Sequence, residues 1–446
     1  MERLTAAEFA TLMAPLGPFE RHPLLAVAVS GGPDSLSLCI LAHQYARERG
    51  GAVLGLIVDH GLRPESAAEA AQTLAKLYRR GIAARILTLA GLAHGPGLAA
   101  RARAARYAAL ESACAEAGAL HLLLGHHAAD QAETVAMRLL AGSGPDGLAA
   151  MPALAETAQM RLLRPLLTVA PVRLRATLAV LGETWVDDSS NADPAAQRAR
   201  LRALRRDRDG IGPATRAAVA AAAARGAARA QLERATAALL ARRVRIAPAG
   251  FAVLAPGALP AVALAALLRT ISGAAFAPAP AQVARLAAAP RAATLGGVRL
   301  LPAGRRERHG WLLVREAAAV APPQDAAAPG RWDGRFRTIS VGALPEGASI
   351  GALGSEQPRL RGRPDWPEAL LKCLPALRLR GKLAAAPHLG YADGCAGASW
   401  RVLFEPTAAL AAAPFLATRV GTAHGGGACG SGGGVAQPGY KRGDAR

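Results

Sequence analysis

The sequence predicts an α/β fold built on a doubly wound parallel sheet, followed by a helical domain and a small α+β domain on the C-terminal side. Three observations predict it. Largely apolar runs at residues 24–29, 52–58, 84–89 and 120–124 recur at regular intervals, and each is followed by a stretch of helical pattern. Apolar strands separated by helix-length segments form a parallel sheet covered on both faces. The polar motifs fall just after these runs: residues 30–35 after the first, Asp59-His60-Gly61-Leu62-Arg63 after the second, and Gly125-His126-His127 after the fourth. These are the carboxyl ends of the strands, where open parallel sheets bind ligands.

Taken in order, residues 1–22 read as a short helical lead-in, and the sheet domain is assigned to 1–212. Residues 213–244, alanine-rich with arginine at 216, 225, 229, 234, 242 and 243, read as a long helix or helical pair with a basic side. They open a helical domain assigned to 213–315. Pro322, Pro323 and Pro329 mark 316–331 as a linker. Residues 332–420 mix short strand-like runs with turns and make the small domain, and the glycine-rich stretch 421–446 is expected to be disordered. The sequence contains no internal repeat.

A chain of 446 residues has room for two or three cores. Its apolar fraction is 52%, yet Arg, Gly or Pro breaks every long alanine-rich run below membrane-spanning length. Met1-Glu2-Arg3-Leu4-Thr5 carries an acidic residue and opens no secretory core before Pro15. A cytoplasmic protein without membrane association is expected. The cysteines at 39, 114, 373, 395 and 429 are odd in number and form no C-x-x-C pair, which argues against a disulfide framework or a cysteine-rich metal site. Fifty-three Lys and Arg against 32 Asp and Glu leave a net charge of +21, which points to a polyanionic partner. Arginine in place of lysine, which occurs only at 76, 372, 382 and 441, also fits a GC-biased genome, but that bias alone does not leave acids so outnumbered.

The segment Ser30-Gly31-Gly32-Pro33-Asp34-Ser35 reads as the loop between the first strand and a helix beginning near Asp34. Two glycines permit a tight turn, and the helix start adds unpaired N–H donors and a positive dipole end, so an anion can settle there. No lysine follows, unlike a Walker A loop, so backbone amides and the hydroxyls of Ser30 and Ser35 would hold phosphate, with Asp34 placed to share Mg²⁺. An ordinary glycine turn is the competing reading.

His126-His127-Ala128-Ala129-Asp130-Gln131-Ala132-Glu133-Thr134 begins at a strand end and continues as a helix to Leu140. Asp130, Glu133 and Thr134, at i, i+3 and i+4, share one face, and two carboxylates on one face attract a metal or an ammonium group. An acidic first turn that complements the helix dipole is the plainer alternative. H-x-x-x-H spacing is missing, so zinc is not favoured. Arg103, Arg106 and Tyr107 lie in a helix beginning near Leu98, where phosphate contact competes with simple solvation. Gly142-Ser143-Gly144 serves as a helix terminator or a binding loop, and Arg198, Arg200, Arg202, Arg205 and Arg206 form a basic cluster.

Together with Arg164-Pro165-Leu166-Leu167 and residues 185–191, these motifs resemble the tRNA(Ile)-lysidine synthetase family of the PP-loop ATP pyrophosphatases over about the first 205 residues. Trp332-Asp333-Gly334-Arg335-Phe336 and Ala386-Pro387-His388-Leu389-Gly390-Tyr391 resemble that family's tail domain more weakly. The resemblance implies a sheet of the PP-loop type and a ligase. It would join free L-lysine to the wobble cytidine of tRNA(Ile) with a CAU anticodon, through an adenylylated tRNA, releasing AMP and pyrophosphate. By this likeness Ser30, Gly31, Gly32, Pro33, Asp34 and Ser35 bind ATP and Asp34 holds Mg²⁺. Asp130 and Glu133 receive lysine, these two and Asp34 form the catalytic set, and Arg198 and Arg202 engage tRNA. A homodimer is one assembly the sequence allows. The chain departs from the family pattern at Ala141, where arginine is frequent, at Ala196, where an aromatic is usual, and at Ala199, where asparagine is usual. A PP-loop tRNA 2-thiolation enzyme and a catalytically inactive RNA-binding relative are the alternatives; the first lacks paired cysteines, and the second gives no reason to keep clustered acids.

Overall fold

Leu24–Ala28 forms the first strand, β1, because its five apolar residues suit a position buried on both faces: Leu25, Ala26 and Val27 are fully inaccessible. The computed structural model describes residues 2–417 apart from 62–63, 90, 92–94, 96, 158, 187–196, 329, 341–343, 360–365 and 394–399. The expected disordered stretch 421–446 lies outside the described residues. Two compact units emerge. One holds residues up to Met151 together with Arg164–Ala224, and the other holds Pro152–Leu163 together with Arg225–Leu416.

The first unit opens with α1 (Ala6–Met13), started by a reciprocal cap in which the Glu8 amide donates to Thr5 Oγ1 and the Thr5 amide to Glu8 Oε2. After β1 come α2 (Pro33–Arg47), β2 (Ala52–Asp59), α3 (Ser66–Arg79), β3 (Ala83–Thr88), α4 (Leu98–Ala117), β4 (His121–Leu123) and α5 (Ala128–Leu140). The four apolar runs thus become the four strands, with ends shifted by a residue or so. They pair in parallel in the order β3-β2-β1-β4, with Leu24 beside Ala52, Leu25 beside His121 and Leu54 beside Ala83. Consecutive strands are added on one side of β1, and β4 joins on the other. The loops leaving β1 and β4 therefore lie side by side at the point where the strand order reverses, the place where open parallel sheets bind ligands. Helix α2 packs on β1 and β2, burying Leu38, Cys39 and Ala42 completely.

Beyond α5 the chain makes a short α6 (Pro145–Leu148), the hairpin strands β5 (Leu154–Glu156) and β6 (Arg161–Leu163), α7 (Pro171–Val180), α8 (Gln197–Arg205) and α9 (Pro213–Arg243). Gly142 stops α5 with φ +64 and donates to the Leu139 carbonyl, which is the helix-terminating alternative foreseen for that loop.

In the second unit, the region 213–315 carries α10 (Ala261–Ser272) and α11 (Pro280–Ala288) after α9. It also builds an antiparallel sheet from β7 (Val244–Ala247), β8 (Phe251–Leu254), β9 (Ala293–Leu295), β10 (Val298–Pro302) and β11 (Trp311–Arg315), ordered β7-β8-β11-β10-β9. Leu264, Leu267, Leu268 and Ile271 of α10 seal one face of this sheet against Leu300 and Leu313. Past it come β12 (Gln324–Asp325), β13 (Phe336–Ser340), β14 (Ala348–Ala352), α12 (Glu368–Leu371), β15 (Pro375–Leu379), β16 (Lys382–Ala386), β17 (Tyr391–Ala392) and β18 (Trp400–Phe404). Trp332, Arg335 and Phe336 are almost wholly buried, so this motif serves the core of the second unit. Among the described residues, no helix is long and apolar enough to cross a membrane.

Candidate active site at the sheet switch point

The loop after β1 is shaped by its own hydroxyls. The Ser30 amide donates to Ser35 Oγ at 3.0 Å, the Ser35 hydroxyl donates to the Gly32 carbonyl at 3.2 Å, and the two hydroxyl oxygens lie 3.1 Å apart. Gly31 sits at φ +83, and a Cβ there would stand 2.6 Å from Thr73 Oγ1, so any other residue would strain the backbone and push Thr73 aside. Gly32 enters α2 in an extended conformation with no side-chain cap, and Pro33 occupies the first turn without an N–H to offer. The helix start is open for an anion. The loop after β4 closes on it: a Cβ on Gly125 would lie 3.1 Å from the Ser35 nitrogen.

Three carboxylates then meet through one imidazole and one guanidinium. His127 Nε2 is 3.4 Å from Asp34 Oδ2, and its Nδ1 is 3.5 Å from Asp130 Oδ2. The His127 amide donates to the same Asp130 oxygen at 3.0 Å, which orients the carboxylate at the start of α5. Arg202 of α8 forks onto Glu133, donating from Nε at 2.8 Å and from its terminal nitrogen at 3.2 Å, and it lies 3.6 Å from Asp130 Oδ1. Glu133 is 1% exposed, whereas Arg202 is 40% exposed, so the guanidinium closes the acid pair from the solvent side.

The electrostatics follow from these contacts. Burial opposes charge on His127, yet Asp130, Asp34 and Glu133 outweigh it and raise the imidazole above its ordinary value. Burial likewise disfavours charge on Asp130, but His127, His126, the His127 amide and Arg202 hold its carboxyl below the usual range. His126 goes the other way. Burial, reinforced by Arg164, Arg106 and Arg198 against the opposing pull of Asp130, lowers it to about 4 and keeps it neutral. Arg106 and Arg164 are themselves lowered by burial beside Arg103, with the Tyr107 hydroxyl bonded to Arg164. Arg106, Arg164 and Arg198 thus bring positive charge up to His126, beside Asp130.

Each residue singled out in the sequence can now be placed. Ser30, Gly31, Gly32, Pro33, Asp34 and Ser35 form the loop between β1 and α2, and Asp34, Asp130 and Glu133 belong to one hydrogen-bonded and ion-paired set. Asp34 Oδ1 is buried without a hydrogen-bond partner, which suits a hard cation bound there with phosphate oxygens. Arg198 is half-buried near His126, and Arg202 is paired with Glu133 rather than presented freely to solvent. Arg205 also turns inward, donating to the Ala129 carbonyl and the Thr215 hydroxyl. Asp59 instead accepts from the Ser66 hydroxyl at 2.7 Å and the Gly61 amide at 2.9 Å, which lower its carboxyl and fasten the loop after β2. Ala196 lies outside the described residues. Sequence reasoning missed His127 as the bridge between Asp34 and Asp130. The adjacent carboxylates and a strand-end position carried the signal, although zinc was the only role weighed for it. Thr73, which packs under Gly31, left no signal at all.

A profile of the PP-loop domain family matches residues 1–206. The tRNA(Ile)-lysidine synthase of Bradyrhizobium sp. is 45% identical over 203 residues, covering 45% of this chain and 56% of that protein. The chain therefore spans just over half the length of that relative. The proteins of the same name from Rhizobium meliloti and Mesorhizobium japonicum are 33% and 38% identical over 398 and 382 residues, and the alignments cover 82% and 81% of both partners.

Proposed function

Because this chain belongs to the tRNA(Ile)-lysidine synthase family, we propose that it joins L-lysine to C2 of the wobble cytidine of tRNA(Ile) with a CAU anticodon, using ATP. The observation that carries the proposal is the connected set Asp34–His127–Asp130–Arg202–Glu133, which ties the loop of residues 30–35 to a buried acid pair.

The proposed chemistry has two steps. The cytosine 2-oxygen attacks the α-phosphorus of ATP, and pyrophosphate leaves into the amide-lined loop of residues 30–35. The lysine amine then attacks C2, loses a proton, and displaces AMP with that oxygen. Asp34 would hold Mg²⁺ through its unpartnered oxygen, and the bound ion would neutralise charge gathering on the leaving pyrophosphate. His127 keeps Asp34 and Asp130 oriented, so the metal-facing and amine-facing carboxylates stay in register. Asp130 and Glu133 pair with the lysine substrate through its ammonium. Arg106, Arg164 and Arg198 face the nucleotide phosphate or the RNA backbone. Both the loop and the acids come from one chain, so the reading needs no homodimer, and it fits a cytoplasmic enzyme.

The thiols among the described residues lend the thiolation alternative no support. Cys39, Cys114 and Cys373 are buried, and burial pushes them up to about 12, 11 and 11, far from the thiolate character that sulfur transfer requires. Purified chain given ATP, Mg²⁺, labelled lysine and CAU-anticodon tRNA tests the proposal. It predicts tRNA-dependent lysine incorporation with stoichiometric AMP. Sulfur transfer, or RNA retention without AMP, would refute it.

A further inference from the structure

Arg202 occupies the seat that the lysine reading assigns to a substrate ammonium. Both Glu133 oxygens accept from its guanidinium, at 2.8 and 3.2 Å, and the remaining Asp130 oxygen lies 3.6 Å from it. The other Asp130 oxygen already accepts the His127 amide. The acid pair is filled by the chain itself.

We propose that Arg202 is an internal stand-in for lysine. It caps Glu133 and Asp130 in the free chain and exchanges onto an RNA phosphate when tRNA docks, so that lysine is admitted only to the tRNA-bound form. The inference rests on the lysine-ligase reading above.

The physical case is charge conservation in a dry place. A carboxylate as buried as Glu133 cannot lose the guanidinium forked onto it to solvent without a large penalty, so it releases Arg202 only as another cation arrives. A lysine ammonium is such a cation. A guanidinium leaving Glu133 needs a new anion in turn, and phosphate takes it in the same forked geometry. Helix α8 is suited to the shift. Leu204 projects to solvent with 78% exposure, while Arg202 and Arg205 tie the helix inward to Glu133, Ala129 and Thr215. Arg198, one turn earlier and half-buried near His126, gives the incoming backbone a second contact on the same element.

The test is equilibrium dialysis of labelled L-lysine against the full chain, without and with CAU-anticodon tRNA, for the parent, Arg202→Gln and Arg202→Lys. Thermal unfolding of each variant serves as the folding control. Without tRNA, Arg202→Gln should bind lysine at least about ten-fold more tightly than the parent, because the competing internal cation is gone. Arg202→Lys, which keeps a cation but loses the fork, should fall between them, and it carries the test if the glutamine variant does not fold. Adding tRNA should bring the parent close to the glutamine variant. Equal or weaker lysine binding by the variants without tRNA overturns the exchange. If the parent still transfers lysine to tRNA in that case, the ligase reading stands and only the exchange is lost. If no form takes up lysine even with tRNA, the ligase reading fails and the exchange fails with it.

Discussion

Two clusters of buried charge invite comparison, one in each unit. In the second unit Asp333 accepts from Arg315 at 3.1 and 3.0 Å, from Arg335 at 2.8 Å and from the Ala321 amide at 2.9 Å. Its carboxylate is 2% exposed, and both oxygens are engaged by fixed partners. In the first unit Asp34 is 31% exposed and leaves Oδ1 without a partner, His127 is shared between two acids, and Glu133 depends on a half-exposed arginine. Both arrangements cost desolvation. The closed one returns that cost as a rigid core, whereas the open one keeps a gap that a cation and a phosphate can fill. Burial of charge alone does not mark a site. What sets the first-unit cluster apart is an open carboxylate oxygen on Asp34 beside a helix start that no side chain caps.

Several measurements can break or sharpen that contrast. The largest effect is expected for Asp333→Ala, which leaves two buried guanidiniums facing each other and should cost about 3–5 kcal/mol of stability in chemical denaturation. Asp34→Ala should instead fold with near-parent stability while AMP formation falls by about 10²–10³-fold and tRNA affinity stays close to the parent. Should Asp34→Ala destabilise the chain as much as Asp333→Ala, the two clusters would be the same kind of object. Gly31→Ala comes next. The positive φ and the approach to Thr73 Oγ1 should together weaken ATP binding by about 1–3 kcal/mol, and Thr73→Ala in the same chain should recover only the part due to crowding. The smallest effect concerns pH. Burial lowers His388 of the second unit to about 4, so the unfolded chain binds more protons than the folded one between about 6.5 and 4. Stability should therefore fall with acid across that window, and His388→Leu should flatten the slope in pH-dependent denaturation while leaving AMP formation unaltered.

How much of this was legible beforehand depended on range. Strands β1 and β2 were readable because they bury nearly unbroken apolar runs, β3 and β4 because their largely apolar runs recur at the same interval despite Arg85, Thr88 and His121, and the loop after β1 because Gly31, Gly32 and Pro33 constrain the backbone locally. The acids on α5 were placed by helical spacing alone. The pairing of Arg202 with Glu133 was not, since 69 residues separate them and no periodicity joins α5 to α8. Nor was the sheet of the second unit legible, because β7, β8 and β9 are three or four residues long and carry too little alternation to stand out from helical alanine. The Asp333 cluster was half visible. Arg335 is two residues away, but Arg315 arrives from another strand.

The most direct test of the central claim, that the acids tied to the loop after β1 receive the amine and not the nucleotide, is the lysine dependence of Glu133→Gln in the complete reaction with CAU-anticodon tRNA. The account predicts that AMP transfer to tRNA persists while the KM for lysine rises at least about ten-fold. An unchanged lysine KM accompanied by loss of AMP transfer would contradict it.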